Sequence, residues 1–227
     1  MNRSLIEPET NRSEVLAPPC PAMVAHPWHS IRPRETADGP VLAFIEIVPK
    51  SPLKFELDKS SGWLRVDRVQ PFSSRPPAMY GLIPQTYCGV SVASRCMETT
   101  THTEIVGDGD PMDIVVLSQD APTQGGILVH ARVIGGLRVV DNREADDKII
   151  AVLEGDPIYG GFRRIGEVPA AILQRLIHYF TTYKQAPDHS PRKISIEQVY
   201  DHDEAEKVIA LSFADYARKF LLEKPSL

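Results

Sequence analysis

Residues 114–153 read IVVLSQDAPTQGGILVHARVIGGLRVVDNREADDKIIAVL, and this stretch decides the fold class. It holds four apolar runs, Ile114 to Leu117, Ile127 to Val133, Leu137 to Val140 and Ile149 to Leu153. Each is rich in β-branched residues and bounded by Gly, Asp or other polar residues, as strands are. So many closely spaced strands do not suit an alternating β/α sheet, and a small barrel fits them better. Upstream, Phe44 to Val48, Leu53 to Leu57 and Trp63 to Val66 continue the pattern. The last two are separated by the turn Asp58-Lys59-Ser60-Ser61-Gly62, which predicts a hairpin.

Further outward the periods change. After Pro169, Ile172, Leu173, Leu176, Ile177 and Phe180 share one face at 3.6-residue spacing and predict an amphipathic helix. Ile209, Phe213, Tyr216 and Phe220 predict a second from about Asp203 to Leu222. Core packing explains both stripes. Gly89 to Thr103, rich in Ser and Thr, reads as a loop insertion between strands. Residues 1–40 carry seven prolines, which exclude regular helix or central strand, so they read as an arm or flexible tail. The expected organisation is an N-terminal arm, 1–40, and a single domain, 41–227, with a loop insertion near 88–106 and a C-terminal helix. The fold class is α+β, mainly β.

With 42% apolar residues, 227 residues suffice for a full core. Lys and Arg number 25 against 30 Asp and Glu, a formal net charge of −5, which gives no general attraction to nucleic acid or anionic membranes. Met1 to Trp28 has no continuous apolar region, and no stretch approaches the ~20 apolar residues of a membrane span. A soluble, cytoplasmic protein is expected. Cys20, Cys88 and Cys96 cannot all pair within one chain and form no CxxC, so they read as reduced thiols.

The sharpest local feature is Gly107-Asp108-Gly109-Asp110-Pro111-Met112-Asp113, three carboxylates at the entrance to an apolar strand. Carboxylates so close repel one another, and hard divalent cations relieve the repulsion; all-oxygen ligation favours magnesium, manganese or calcium. An EF-hand fails, because the required Gly and Glu positions hold Asp113 and Gln119. A solvated turn also shows this pattern. A second acidic run, Asp141 to Asp147, occupies the connection between two strands. With inward-pointing Glu46 and the Lys54-Phe55-Glu56 alternation, the two runs converge at one barrel mouth. Lys54 and Glu56 share a face opposite Phe55 and Leu57, while Arg68 and Tyr183-Lys184 supply a cation and a phenol suited to phosphate oxygens.

No phosphate loop or HExxH is present, Gly89-Val90-Ser91-Val92-Ala93 only half matches a nucleophile elbow, and His26 and His29 lack further metal ligands. Small barrels also serve as modules that bind single-stranded nucleic acid or oligosaccharides, but the carboxylate-rich mouth opposes that reading. Hydrolysis of another phosphoanhydride remains an alternative.

Taken in chain order, Phe44-Ile45-Glu46-Ile47-Val48-Pro49, Lys54-Phe55-Glu56-Leu57-Asp58-Lys59, Val66-Asp67-Arg68, Tyr80-Gly81-Leu82-Ile83-Pro84, Asp108-Gly109-Asp110-Pro111-Met112-Asp113, Asp141 with Asp146 and Lys148, and His178-Tyr179-Phe180 with Tyr183-Lys184 resemble the family I soluble inorganic pyrophosphatases. The resemblance spans Phe44 to Lys184. It implies a five-stranded, OB-like closed barrel with flanking helices and hydrolysis of pyrophosphate to two phosphates with several magnesium ions, manganese substituting. It further implies that Asp108, Asp113, Asp141 and Asp146 bind metal directly, and that Glu46 and Glu56 hold metal-bound waters. Asp110 matches the carboxylate beside the attacking water and Tyr80 a tyrosine near the nucleophile. Lys54, Arg68, Lys148, Tyr183 and Lys184 match the groups that hold the phosphoryl halves. Pro76 stands where many bacterial members place a site tyrosine, and the segment from Tyr80 to Asp108 is longer than in compact members. The arm and the C-terminal helix lie outside the motif region. A homo-oligomer is expected, with its subunit number open and His178 a candidate for the contact.

Overall fold

The β-branched runs become the strands of a computed structural model that describes residues 25–36, 38–185 and 194–222. In chain order the elements are β1 (Val41–Ile47), β2 (Leu53–Leu57), β3 (Leu64–Val69), β4 (Met79–Leu82), α1 (Val90–Thr99), β5 (Val106–Gly107), β6 (Asp113–Leu117), β7 (Ile127–Asp141), β8 (Glu144–Ala145), β9 (Lys148–Leu153), α2 (Ala170–Thr182), β10 (Ile194–Asp201) and α3 (His202–Tyr216). A π-helical turn, Ala217–Leu222, continues α3. The architecture is mainly β with few helices, as expected.

Five strands pair in a ring, β1 with β4, β4 with β6, β6 with β9, β9 with β7, and β7 with β1. The β6–β9 pairing is parallel and the others are antiparallel. Alternation divides the side chains of β6 and β9 between two clusters. Ile114, Val116, Ile149 and Ala151 join the buried residues of α1 and α3, while Val115, Leu117, Ile150 and Val152 join those of α2. Strand register places the first residue of β6 among its partners: Asp113 stands opposite Leu82 on one side and opposite Lys148 on the other. The predicted hairpin is β2–β3, a separate two-stranded sheet that places Lys54 opposite Arg68.

Three expectations need correction. Ile127 to Val133 and Leu137 to Val140 are one strand, β7, whose register shifts between Val133 and Gly135. Its first half pairs with β1 and its second with β10. A side chain at Gly136 would put Cβ 2.4 Å from the Tyr200 ring, so glycine there permits close approach of β10 where the two apolar runs were read as separate. The insertion near 88–106 is not a loop, since it contains α1, with Val92, Ala93 and Cys96 buried. Its first turn is capped from afar: Asp215 of α3 accepts the backbone N–H of Gly89 at 3.1 Å, of Ser91 at 2.9 Å and of Val92 at 3.2 Å. Ser91 is thus a helix-start residue and no nucleophile elbow.

The arm is the third. Within its described part Trp28 is 3% exposed, and its Nε1–H donates to the Thr86 carbonyl at 2.7 Å. Its ring lies 5.2 Å from that of Phe220 in the π-helical turn, so this end of the arm is packed. Residues 1–24, with most of the prolines and Cys20, lie outside the described residues. Both predicted helices form, as α2 and as α3 with its π-helical continuation.

Candidate active site

Strand pairing brings the acidic loop after β5, the end of β1, the hairpin β2–β3 and the β7–β9 connection to one end of the ring. There they enclose a cavity of about 120 Å³. Gly109 has φ +76°, a left-handed conformation suited to glycine, and turns the loop so that the Asp110 N–H donates to Asp108 Oδ1 at 2.9 Å. Of the thirteen expected site residues, eleven line the cavity: Glu46, Lys54, Glu56, Tyr80, Asp108, Asp110, Asp113, Asp146, Lys148, Tyr183 and Lys184. The other two, Asp141 and Arg68, do not line it. Asp141 Oδ2 accepts from Lys184 Nζ at 2.6 Å. The Arg68 guanidinium lies 5.9 Å from the Tyr183 ring centre and donates to Asp67 at 2.7 Å.

Three groups fall outside the expected set. Lys59 lines the cavity and donates to Asp110 Oδ1. It lies in the predicted hairpin turn, at the end of a quoted motif, where a charged residue is commonplace and was given no site role. Asp67 accepts from Lys54 at 2.9 Å as well as from Arg68, and so orients both. Trp28 also lines the cavity, from a Pro-rich segment without periodicity.

Charge is crowded here. Six carboxylates, Glu46, Glu56, Asp108, Asp110, Asp113 and Asp146, face four ammonium groups, Lys54, Lys59, Lys148 and Lys184. Lys148, 2% exposed, donates to both Asp113 and Asp146, and Tyr80 donates to Asp113. Burial opposes the Lys148 charge, but Asp113 and Asp146 outweigh it and raise its pKa well above the ordinary value. Burial also raises the Tyr80 phenol, with Asp113 adding to the effect.

Where carboxylates lack a cation they hold protons more tightly. Burial pushes Glu46 up to about 8, although the Leu57 N–H, donated to Glu46 Oε1 at 2.7 Å, works the other way. Asp108 is likewise pushed to about 8, by burial and then by the charge of Asp146. Asp146 is raised by burial, against the pull of Lys148. Among the described residues no three Asp, Glu, His or Cys side chains form a ready-made metal cage. Ammonium groups stand between the carboxylates instead. The donor set is nevertheless all oxygen and in excess over its counter-charges, which fits hard divalent cations.

Comparison with known proteins gives one answer. A family model described as Pyrophosphatase, Inorganic pyrophosphatase, matches residues 43–217. The chain is 47% identical over 206 residues to an inorganic pyrophosphatase of Chlamydia trachomatis serovar D, covering 88% of this chain and 98% of that one. It is 35% identical over 194 residues to a soluble inorganic pyrophosphatase of Oryza sativa subsp. japonica, covering 86% and 80%. The solved inorganic pyrophosphatase of Thermus thermophilus superposes with a TM-score of 0.70 at 27% identity, over 85% of this chain and 99% of that one. The family match takes in the ring from Ala43 onward and every residue that lines the cavity except Trp28, and the chain belongs to the inorganic pyrophosphatase family.

Proposed function

We infer that this chain is a hydrolase that converts inorganic pyrophosphate and water to two orthophosphates in the cavity at the end of the strand ring. The observation that carries this reading is the meeting of six carboxylates with four lysines in one cavity, within a family that bears that name. Divalent cations, magnesium with manganese able to substitute, would be held directly by Asp108, Asp113, Asp141 and Asp146 and through water by Glu46 and Glu56. When bound they would supply charge to the phosphate oxygens and acidify the attacking water.

The chain's own residues do the rest. Asp110, on the loop turned by Gly109, takes or orients the proton of the attacking water. Lys54, Arg68, Lys148, Tyr183 and Lys184 hold the two phosphoryl halves as fixed donors, so charge developing on the leaving phosphate meets groups already in place. Tyr80 donates to Asp113 and closes that side together with Phe180, whose ring centre is 5.7 Å from its own. We read the ring as an OB-like closed barrel, and the enzyme as a cytoplasmic homo-oligomer that uses neither membrane nor nucleic acid. The acidic cavity speaks against nucleic acid as a ligand, and among the described residues no helix is long and apolar enough to cross a membrane.

Phosphate release from pyrophosphate, with and without magnesium, tests this beside Asp110→Asn and an ATP control. Fast magnesium-dependent release, lost in the variant and weak with ATP, is expected. A folded, magnesium-loaded protein that releases no phosphate would sink the reading, and ATP hydrolysed as fast as pyrophosphate would replace the substrate.

A further inference from the structure

On the side of the β7–β9 connection turned away from the cavity lies a chain of buried charges that the reaction does not use. Arg138 of β7 is fully buried. Its NH1 is 3.2 Å from Asp147 Oδ2, and its NH2 donates to Glu204 of α3 at 2.6 Å. Arg95 of α1 grips the same glutamate at 2.8 and 2.6 Å. Tyr200 of β10 donates to Asp147 at 3.0 Å, and its ring centre lies 5.1 Å from the Arg138 guanidinium.

Asp147 sits between Asp146 and Lys148. Those two line the cavity and Asp147 does not, as alternation about an extended chain requires. Asp147 is therefore the nearest anchored side chain behind two of the expected site residues. The backbone ties agree: the Asp146 N–H donates to the Val139 carbonyl at 3.0 Å, beside Arg138 on the same strand.

Stability alone does not account for this arrangement. A buried ion cluster is commonly matched or bettered by well-packed apolar residues of the same volume. What the cluster does supply is direction, because charged groups from α1, α3 and β10 fix one side chain on the active-site connection. We propose that Arg138 and Asp147 are positioning residues for pyrophosphate hydrolysis, acting through Asp147 to hold Asp146 and Lys148 in place. This rests on the placement of Asp146 and Lys148 in the working site.

Arg138→Met/Asp147→Leu removes both charges together and leaves none of the pair stranded. The variant should melt close to the parent yet show kcat lowered 10–100-fold, the range typical of lost support behind metal-site ligands, with KM within threefold. Arg138→Lys keeps the charge without the planar fork and should fall between the two. If the double variant folds with kcat within twofold of the parent, the proposal is overturned. Should it fail to fold, Glu204→Gln, at the partly exposed end of the cluster, is measured instead. A fall of threefold or more in its kcat supports positioning, and kcat within twofold of the parent overturns it. Parent and Asp146→Asn are assayed alongside. An inactive parent defeats the functional reading itself, a fully active Asp146→Asn removes Asp146 from the working site and this proposal with it, and an active parent with indifferent core variants defeats only this proposal.

Discussion

Asp113 takes part in three relationships at once: it accepts from Tyr80 and Lys148, and its strand register sets it directly across from Lys148. Its charge matters to cations and to Lys148 more than to packing. Asp113→Asn should therefore reduce turnover by roughly two orders of magnitude or more, judged from the loss of one preorganised electrostatic group. Its melting temperature should move by only a few degrees, and wild-type turnover in a folded variant defeats the assignment.

Glu46 makes a prediction about pH. Its pKa is raised by burial from the ordinary range to about 8 in the folded, metal-free protein. The folded state then holds a proton that the unfolded state has released between about pH 4.5 and 8, so stability is full below that window and is lost as pH rises through it. Unfolding free energy measured without metal should fall from pH 5 to 8, by an amount on the order of a few kcal/mol at most, and the melting temperature with it. Glu46→Gln should flatten the slope, and magnesium should restore stability at pH 8. An unchanged slope in Glu46→Gln would remove that residue as the cause.

At the scale of elements, α1 is secured by a carboxylate 124 residues away. Asp215→Ala leaves the Ser91 and Val92 N–H groups without their side-chain acceptor, while that of Gly89 keeps the Tyr87 carbonyl at 3.1 Å, and loss of a cap costs about 1–2 kcal/mol. For a chain of this length that lowers the melting temperature by roughly 2–8 °C. Full activity at low temperature with an unchanged melting point would mean the cap carries no weight. This distance also explains why α1 was illegible. Local sequence offered Ser and Thr in abundance, and the residue that starts the helix was nowhere near.

Strands fared better wherever they alternate or run apolar, since β1, β2, β3, β6 and β9 follow directly from the residue pattern. β10 escaped because Ser195, Glu197 and Gln198 leave its apolar residues too sparse to form a stripe. β7 was divided because Gly135-Gly136 separates two apolar runs until Tyr200 is seen pressed against it. Gly136→Ala, overpacked against that ring, should cost about 1–3 kcal/mol in chemical unfolding. The ordered motifs supplied the eleven expected residues that line the cavity, and Lys59 too stood among the quoted motifs but without an expected site role, whereas Trp28 emerged only when the arm was brought to the cavity.

For the molecule as a whole, the balance of six carboxylates against four lysines makes the cavity hostile to a polyanion until cations arrive. Titration calorimetry should accordingly show pyrophosphate binding that is weak without magnesium and strong with it. Calcium should bind and inhibit, being larger and content with more ligands than magnesium's octahedral six. Equal turnover with calcium alone contradicts this, and strong metal-free binding of pyrophosphate would mean the lysines dominate the field.

The two tryptophans divide the molecule optically. Trp28 is buried at the cavity wall, while Trp63, just before β3, is 70% exposed. Trp63→Phe would leave one fluorophore, seated where the arm meets the site and stacked on His29 at 4.5 Å. Its emission should be blue-shifted and respond to magnesium and phosphate, so the chain carries its own gauge of occupancy without any added label.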